Sequence, residues 1–568
     1  RGRTGAAAAL GAGIVTALLA LPAVAQGLTV SGTAAPANLQ AGANSNFTIN
    51  INFGPAGEDV KDLVVGLPPG QIGDPQATPL CTLAQLNSAT PGNDGCPANT
   101  QVGSVSVNAS ITIVVLPVPV TVTGKLFNLV PQPGEPARFG IVLQPGTLGG
   151  MLPPPGLPLD PVILQSGAVL RTSDFGLDTV INDIPNQTDG LPTHINSQTI
   201  TLFGTAPGTG KPFSRNPTQC TPKTVTFSAT PYTGAAGTGS APPYTPTNCA
   251  AVPFSPEFTA KLGAPGFTGP STKPPITTSI KQSADEAGIQ DTVVFLPGVL
   301  GADPVLFTSA CDIALFNAGT CPDIAVIGSA TAATPLLSVP LQGPVAIVSE
   351  PGNPVPKLGL DLRGSLPLKL TGSFILSGGT GVQFQGLPDI PISNFELRFR
   401  ENTLATSSVD LCKPPAPTFS TSFIAYSGAT QSGPTAATVE GCVPPRPPSV
   451  KVKVKGRGEK PTLKLVAAAG SSKLREIKLK LPKSLGFGDA QAFDKGLKSN
   501  ITGGKAFITN GARKLKVTLP GGADKVVVKV GKGGVVRKGD GKPRFRVQVL
   551  DVDDTRTSLT LPKGKKKK

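Results

Sequence analysis

Along most of the chain, apolar residues come in runs of four to eight Val, Ile, Leu, Thr and Phe. Clusters of Gly, Pro, Asn and Asp part these runs every ten residues or so. That rhythm predicts β-strands joined by turns. Val450-Lys-Val-Lys-Val-Lys455 and Lys478-Leu-Lys-Leu481 alternate strictly, which buries one face of a sheet and wets the other. Residues 110–122 are apolar, but they are β-branched and broken by Pro, so they read as strands rather than a membrane-crossing helix. Helix is expected only in short pieces near residues 82–87 and 489–498. Composition agrees: Gly 68 and Pro 61 among 568 residues are about twice average usage and exclude a coiled coil or helical bundle. A 39% hydrophobic content excludes a wholly disordered chain.

An internal duplication lies under the strand pattern. Leu63-Val-Val-Gly-Leu-Pro-Pro-Gly-Gln-Ile-Gly-Asp-Pro75 lines up with Thr292-Val-Val-Phe-Leu-Pro-Gly-Val-Leu-Gly-Ala-Asp-Pro304, each followed by a cysteine, Cys81 and Cys311. Cys96-Pro-Ala-Asn-Thr-Gln-Val-Gly-Ser104 matches Cys321-Pro-Asp-Ile-Ala-Val-Ile-Gly-Ser329. Thr226-Phe-Ser228 and Tyr232-Thr-Gly then match Thr418-Phe-Ser420 and Tyr426-Ser-Gly. The order of landmarks is kept over about 200 residues. Leu474 to Phe487 echoes the strand-then-Leu-Pro theme and suggests a third, partial copy.

The expected fold is all-β: tandem immunoglobulin-like β-sandwich modules with an internal duplication. The expected division is a signal peptide at 1–25, module A1 at 26–145, B1 at 146–252, A2 at 253–362 repeating A1, and B2 at 363–445 repeating B1. A basic β module at 446–562 and a Lys-rich tail at 563–568 follow.

The compartment is written in the ends and the cysteines. Arg1 and Arg3 precede an apolar stretch that closes Ala23-Val-Ala25, the layout of a secretory signal. Eight cysteines follow it, in four sequential couples: Cys81 with Cys96, Cys220 with Cys249, Cys311 with Cys321, and Cys412 with Cys442. An even count in an exported chain predicts disulfides. Zinc is disfavoured, because there is no CxxC and the single histidine, His194, is far in sequence from every cysteine.

The Leu-Pro-Pro-Gly-x-x-Gly-Asp-Pro, Cys, Cys-Pro and Val-Gly-Ser order, with the Lys-rich Leu-Pro-Lys-x-Leu-x-Phe tail module, resembles large uncharacterised exported proteins of high-GC actinobacteria. The strand running into Leu-Pro-x-Gly is also similar to immunoglobulin-like repeats of bacterial surface proteins. This resemblance covers most of residues 29–562. It implies export and β-sandwich repeats, and it carries over no catalytic residue.

Charge is segregated. Residues 446–568 hold 32 Lys and Arg against 9 Asp and Glu, a net of +23, while residues 1–445 hold 18 against 25, a net of −7. Lysines that alternate with Val and Leu should line one sheet face, which attracts polyanions such as wall polymers or anionic lipid headgroups. The residues expected to bind them are Lys451, Lys453, Lys455, Lys478, Lys480, Lys514, Lys516, Lys565, Lys566, Lys567 and Lys568. The bland counterpart is a solvated face with lysine-guarded edges. Nucleic acid is not expected as a partner, because the module has no Tyr or Trp to stack on bases. The basic module could instead dock on acidic 26–445, within or between molecules.

Catalytic vocabulary is thin. His194 has no Gly-x-Ser-x-Gly beside it. Gly204 to Lys211 has the wrong spacing for a phosphate loop. Asp551-Val-Asp-Asp554 and Asn93-Asp-Gly95 lack calcium-loop spacing. No metal or cofactor is expected. The expected function is therefore that of an exported, non-enzymatic cell-envelope or extracellular structural or interaction protein, tethered through its basic module. One alternative is a polysaccharide or wall hydrolase using paired carboxylates, with Asp74 and Asp303 first in line. The other is an adhesin or receptor with binding loops in 146–215.

Overall fold

The computed structural model describes residues 27–54, 58–145, 159–442, 446–456, 458–509, 513–540 and 543–562. The expected signal peptide, the start of the 146–215 loop region and Lys565 to Lys568 lie outside them. The chain forms two units that meet in sequence at Cys442 and Val443.

In the first unit, eleven strands form the main path of the first copy's large sheet. They are β1 (Thr29–Pro36), β2 (Phe47–Gly54), β3 (Val60–Leu67), β4 (Gln101–Ile113), β5 (Leu116–Leu129) and β6 (Arg138–Gln144). Then come β7 (Val162–Leu170), β8 (Leu177–Ile181), β9 (Leu191–Leu202), β10 (Thr226–Pro231) and β11 (Gly237–Ser240). The second copy holds β12 (Glu257–Leu262), β13 (Ile276–Lys281), β14 (Ile289–Phe295), β15 (Val326–Ala333), β16 (Leu341–Ser349) and β17 (Lys357–Leu362). It ends with β18 (Leu368–Ile375), β19 (Gly381–Phe384), β20 (Asn394–Phe399), β21 (Thr418–Ala425) and β22 (Thr430–Ala436).

The first sheet runs β1-β2-β9-β4-β5-β6-β7-β8-β3-β10-β11. The second runs β12-β13-β20-β15-β16-β17-β18-β19-β14-β21-β22. Each of these eleven strands thus stands at the place of its duplicate eleven numbers on; the second sheet adds Thr438–Val439 in parallel beyond β12 and Cys311–Asp312 beside β16. Each sheet curls into a barrel-like sandwich. In the first, Leu28 N donates to Ala235 O at 3.1 Å where β11 returns to β1. A Cβ on Gly237 or Gly239 would sit 2.0 Å from the Leu28 or Val30 carbonyl oxygen, so this seam needs glycine.

The landmark motifs now have physical reasons. Phe227 and Phe419, the centres of the two Thr-Phe-Ser motifs, are both fully buried in the cores. Tyr232 and Tyr426 each donate from Oη to a carbonyl in the loop after β8 or β19, Ile184 O at 2.9 Å and Leu387 O respectively. The expected boundaries at 145/146 and 362/363 are corrected by the topology. β9 lies between β2 and β4, so 26–145 and 146–252 share one sheet, and 253–362 shares the other with 363–445. Apolar alternation marks a strand without marking its neighbour, and that is why these boundaries were not readable.

The second unit is a two-sheet sandwich around its own core. Its strands are β23 (Ser449–Lys455), β24 (Thr462–Ala468), β25 (Leu474–Lys480), β26 (Leu497–Ser499), β27 (Lys505–Thr509), β28 (Lys514–Ala523), β29 (Lys525–Val530), β30 (Phe545–Asp551) and β31 (Arg556–Leu561). The two main sheets run β23-β24-β29-β26 and β27-β28-β25-β30-β31, and two further short strands, Leu485–Phe487 and Val535–Arg537, pair with each other. This order differs from the eleven-strand order, so the echo at 474–487 is a local strand motif and not a third copy. Helix is sparse: α1 (Leu83–Leu86), α2 (Ile313–Ala318) and α3 (Ala490–Gly496). A capping box of Thr82 and Gln85 starts α1, and the Asp489 side chain starts α3. The sequence reading missed α2, capped by Asp312 and closed by left-handed Gly319. Among the described residues no helix is long and apolar enough to cross a membrane.

Candidate functional site

The inward positions of both barrels do not fill their interiors. A cavity of about 210 Å³ runs through the first unit and is lined from both copies. The first copy contributes Ile49, Val65, Leu126, Phe139, Ala168 and Leu202. The second contributes Ile280, Ala332, Leu341, Leu360, Leu370 and Phe395. The few polar side chains on the wall are the hydroxyls Ser166, Thr179, Thr292 and Thr334. Packed interiors hold few voids larger than one water. This one exceeds the ~150 Å³ apolar cavity that stays dry and takes up benzene in an engineered protein. A second pocket of about 40 Å³ opens in the first barrel, lined by Val107, Ala109 and Ile111 of β4 and Val120 and Val122 of β5. Along the inward row of β5 it precedes Leu126 and the main cavity.

A polar clasp joins the copies beside this lumen. Arg215 is buried at 9% exposure. Its Nε donates to Gly42 O at 3.2 Å in its own copy, and Nη2 donates to Asp285 O and Glu286 O at 3.0 and 2.9 Å in the other. Asp389, between the lining residues Pro388 and Ile390, accepts from Thr218 Oγ1 at 2.8 Å. Burial pushes its carboxyl above the usual range, against the hydrogen bonds from Thr218 and the nearby Lys223 and Arg215 charges. A Cβ on Gly70 would meet Asp389 Oδ2 at 2.2 Å, so the Pro-Pro-Gly of the first copy makes room for the second copy's carboxylate. Burial pushes Tyr426, next in this region, up to about 12.

The sequence-predicted residues divide. The disulfides join Cys81 to Cys96, Cys220 to Cys249, Cys311 to Cys321 and Cys412 to Cys442. Lys451, Lys453 and Lys455 are exposed on β23. Lys478 and Lys516 face one another across β25 and β28 and share Glu476, at 2.6 and 2.8 Å. Lys480 is flanked by Lys514 on one side and Arg546 on the other. The strongest cationic feature was missed by sequence reading. Lys453, Lys464, Lys529 and Lys498 stand in register across all four strands of one sheet. All four are exposed, and none has an ion-pair partner among the described residues. Like charges directly opposite destabilise a sheet, so a counter-anion would relieve this row. Only the strand pairing brings the four together.

Asp74 and Asp303 hold equivalent positions but end their own turns. Asp74 Oδ1 accepts from Gln76 N at 2.8 Å, and burial raises its carboxyl. Asp303 caps Val305 N at 3.2 Å, and its hydrogen bond from Lys273 holds it below the usual carboxylate range. His194 Nδ1 lies 2.9 Å from Asp59 Oδ1. The cross-strand Ser110 hydroxyl accepts from Asn196 Nδ2 at 3.0 Å. Among the described residues no group of three His, Cys, Asp or Glu is placed to hold a metal.

No family model matches the chain, and no curated protein matches it. Among solved structures the chain is similar to the crystal structure of a "Putative membrane anchored protein" from Corynebacterium diphtheriae, at 10% identity over 94% of this chain and 93% of that one. The TM-score of 0.16 is too low to carry an argument from that protein to this one.

Proposed function

We propose that the first unit is a non-enzymatic carrier of an apolar ligand, a lipid acyl chain, in the cell envelope, and that the basic unit tethers it to anionic envelope polymers. The apolar lumen shared by both copies carries this reading. A void of this size that nothing fills costs about 5 kcal/mol at about 24 cal/mol per Å³. A chain with a large surplus of β-formers could have closed it with larger side chains at Ala168 or Ala332. Four disulfides suit an extracellular setting.

The test is uptake of a fluorescent long-chain fatty acid by the full chain in solution. Saturable binding with blue-shifted emission is expected. Ala332→Phe, which projects a ring into the lumen, should weaken it at least tenfold while leaving the melting temperature unchanged or higher. Absence of saturable uptake by the wild-type chain would sink the carrier reading.

The lysine row supports the tether. The full chain should bind inorganic polyphosphate at low salt and release it as salt rises. Lys464→Thr with Lys529→Thr should weaken binding about tenfold and flatten the salt dependence. Equal binding by this variant would remove the row as the tether.

A further inference from the structure

The longest hairpin among the described residues is not explained by closure of the barrel it belongs to. β4 and β5 have 13 and 14 residues, whereas their duplicates β15 and β16 have 8 and 9. At about 3.4 Å per residue the first copy's hairpin is longer by roughly 17 Å. The second copy closes the same sheet order without the extension, so closure does not require it.

The chemistry of the extension is unusual for a surface. No charged residue lies between Asp94 and Lys125. The tip residues Val114, Val115 and Leu116 are 91, 78 and 68% exposed. Val114 sits at the first turn position with φ of 59°, where hairpins favour glycine and a β-branched side chain is strained. A turn selected for water and for folding would carry Gly, Asn or Asp there. The outer edge of the extended β5 is guarded by Pro117 and Pro119 instead of lysine. Proline blocks edge pairing without bringing a charge. Directly behind the tip, Ile111, Val120 and Val122 line the smaller pocket of the same barrel. Apolar side chains thus run from the exposed turn to this smaller pocket, and the next inward residue of the β5 row beyond it on the main cavity wall is Leu126.

We propose that the β4–β5 hairpin tip is a membrane-docking element that dips Val114, Val115 and Leu116 into the acyl boundary of a lipid bilayer and sets the mouth of the first barrel against it. The proposal rests on the lumen being a lipid site, and it names the route by which an acyl chain reaches it. Neutral lipid suffices as the surface, because the tip has no charge with which to select anionic headgroups.

The experiment is co-sedimentation of the full chain with zwitterionic phosphatidylcholine vesicles at high salt, where attraction through lysines is screened. The comparison is the triple variant Val114→Gly, Val115→Asn, Leu116→Thr, which gives the turn its favoured residues and so should fold at least as stably. Wild-type chain should sediment with vesicles and the variant should lose at least tenfold in partitioning. Fatty-acid uptake from vesicle-free solution should stay at wild-type level in the variant. Equal vesicle binding by the two chains would overturn the proposal, as would failure of the wild type to bind. A wild-type dimer that the variant abolishes, with no vesicle binding, would assign the tip to a second copy and overturn it too. If vesicle binding is lost in the variant but the wild type takes up no fatty acid from solution, the docking element stands and the lumen reading falls.

Discussion

Reduction should unfold residues 27–442 and leave residues 446–562 folded. All eight cysteines lie in the first unit, as four disulfides spanning 15, 29, 10 and 30 residues. Loop-closure entropy gives about 3 kcal/mol for each of the two short spans and about 3.6 for each of the long ones. Together they amount to about 13 kcal/mol, the size of the whole net stability of a typical domain, about 5–15 kcal/mol. Cys81 and Cys311 are fully buried, each in a small satellite core, with Leu86 and Phe127 around one and Phe316 and Val348 around the other. Breaking the bridges therefore also loosens packing at two places. The second unit has no cysteine, and its core is built from its own residues. The three tyrosines, Tyr232, Tyr244 and Tyr426, all lie in the first unit, so tyrosine near-ultraviolet circular dichroism reports on that unit alone. With reductant at ambient temperature this signal should collapse, while limited proteolysis should leave a resistant C-terminal fragment. A tyrosine signal that survives full reduction would show that barrel packing suffices without the bridges.

Much of this fold was legible because strands and bridges are local signals. The alternation at 450–455 and 478–481 marked β23 and β25, and the landmark order marked the duplication. The short helices expected near residues 82–87 and 489–498 are α1 and α3. What was not legible depends on pairing across long sequence distances. β9 inserts between β2 and β4, and nothing in its own residues names those partners. The lysine row likewise exists only because β23, β24, β29 and β26 are neighbours in that order. Lys464, Lys498 and Lys529 are undistinguished along the chain. The lumen was hidden for a different reason. Ala168 and Ala332 on the inner face look like ordinary strand alanines until the size of the barrel shows that larger residues would be needed to fill it. The hairpin gave half a signal. Residues 110–122 read as strands, correctly, but the exposure of Val114, Val115 and Leu116 at their turn could be seen only in three dimensions.

Substituting Arg215 with methionine should uncouple the two copies and cost about 3–5 kcal/mol, the range for breaking a buried charged network. The side chain is at 9% exposure and its guanidinium reaches across the junction. One nitrogen holds Gly42 O of the first copy, and another holds Asp285 O and Glu286 O of the second. Methionine keeps most of the apolar stem but leaves three carbonyls without this donor, and each buried unsatisfied group costs about 1–3 kcal/mol. It also removes a cation that faces buried Asp389, whose carboxyl would be still harder to ionise. Lysine in place of arginine should recover only part of the loss, since one ammonium on a flexible stem cannot match the planar fork. The cavity wall is drawn from both copies, so weakening the clasp must also reach the cavity. Chemical denaturation of the wild-type chain should show the first unit unfolding in one transition, and Arg215→Met should split it into two or shift its midpoint sharply downward. Fatty-acid uptake should weaken in parallel, before either barrel has unfolded. If the variant unfolds in one unshifted transition and takes up ligand as well as wild type, the clasp is not what holds the copies around the lumen, and the apolar wall itself must supply their coupling.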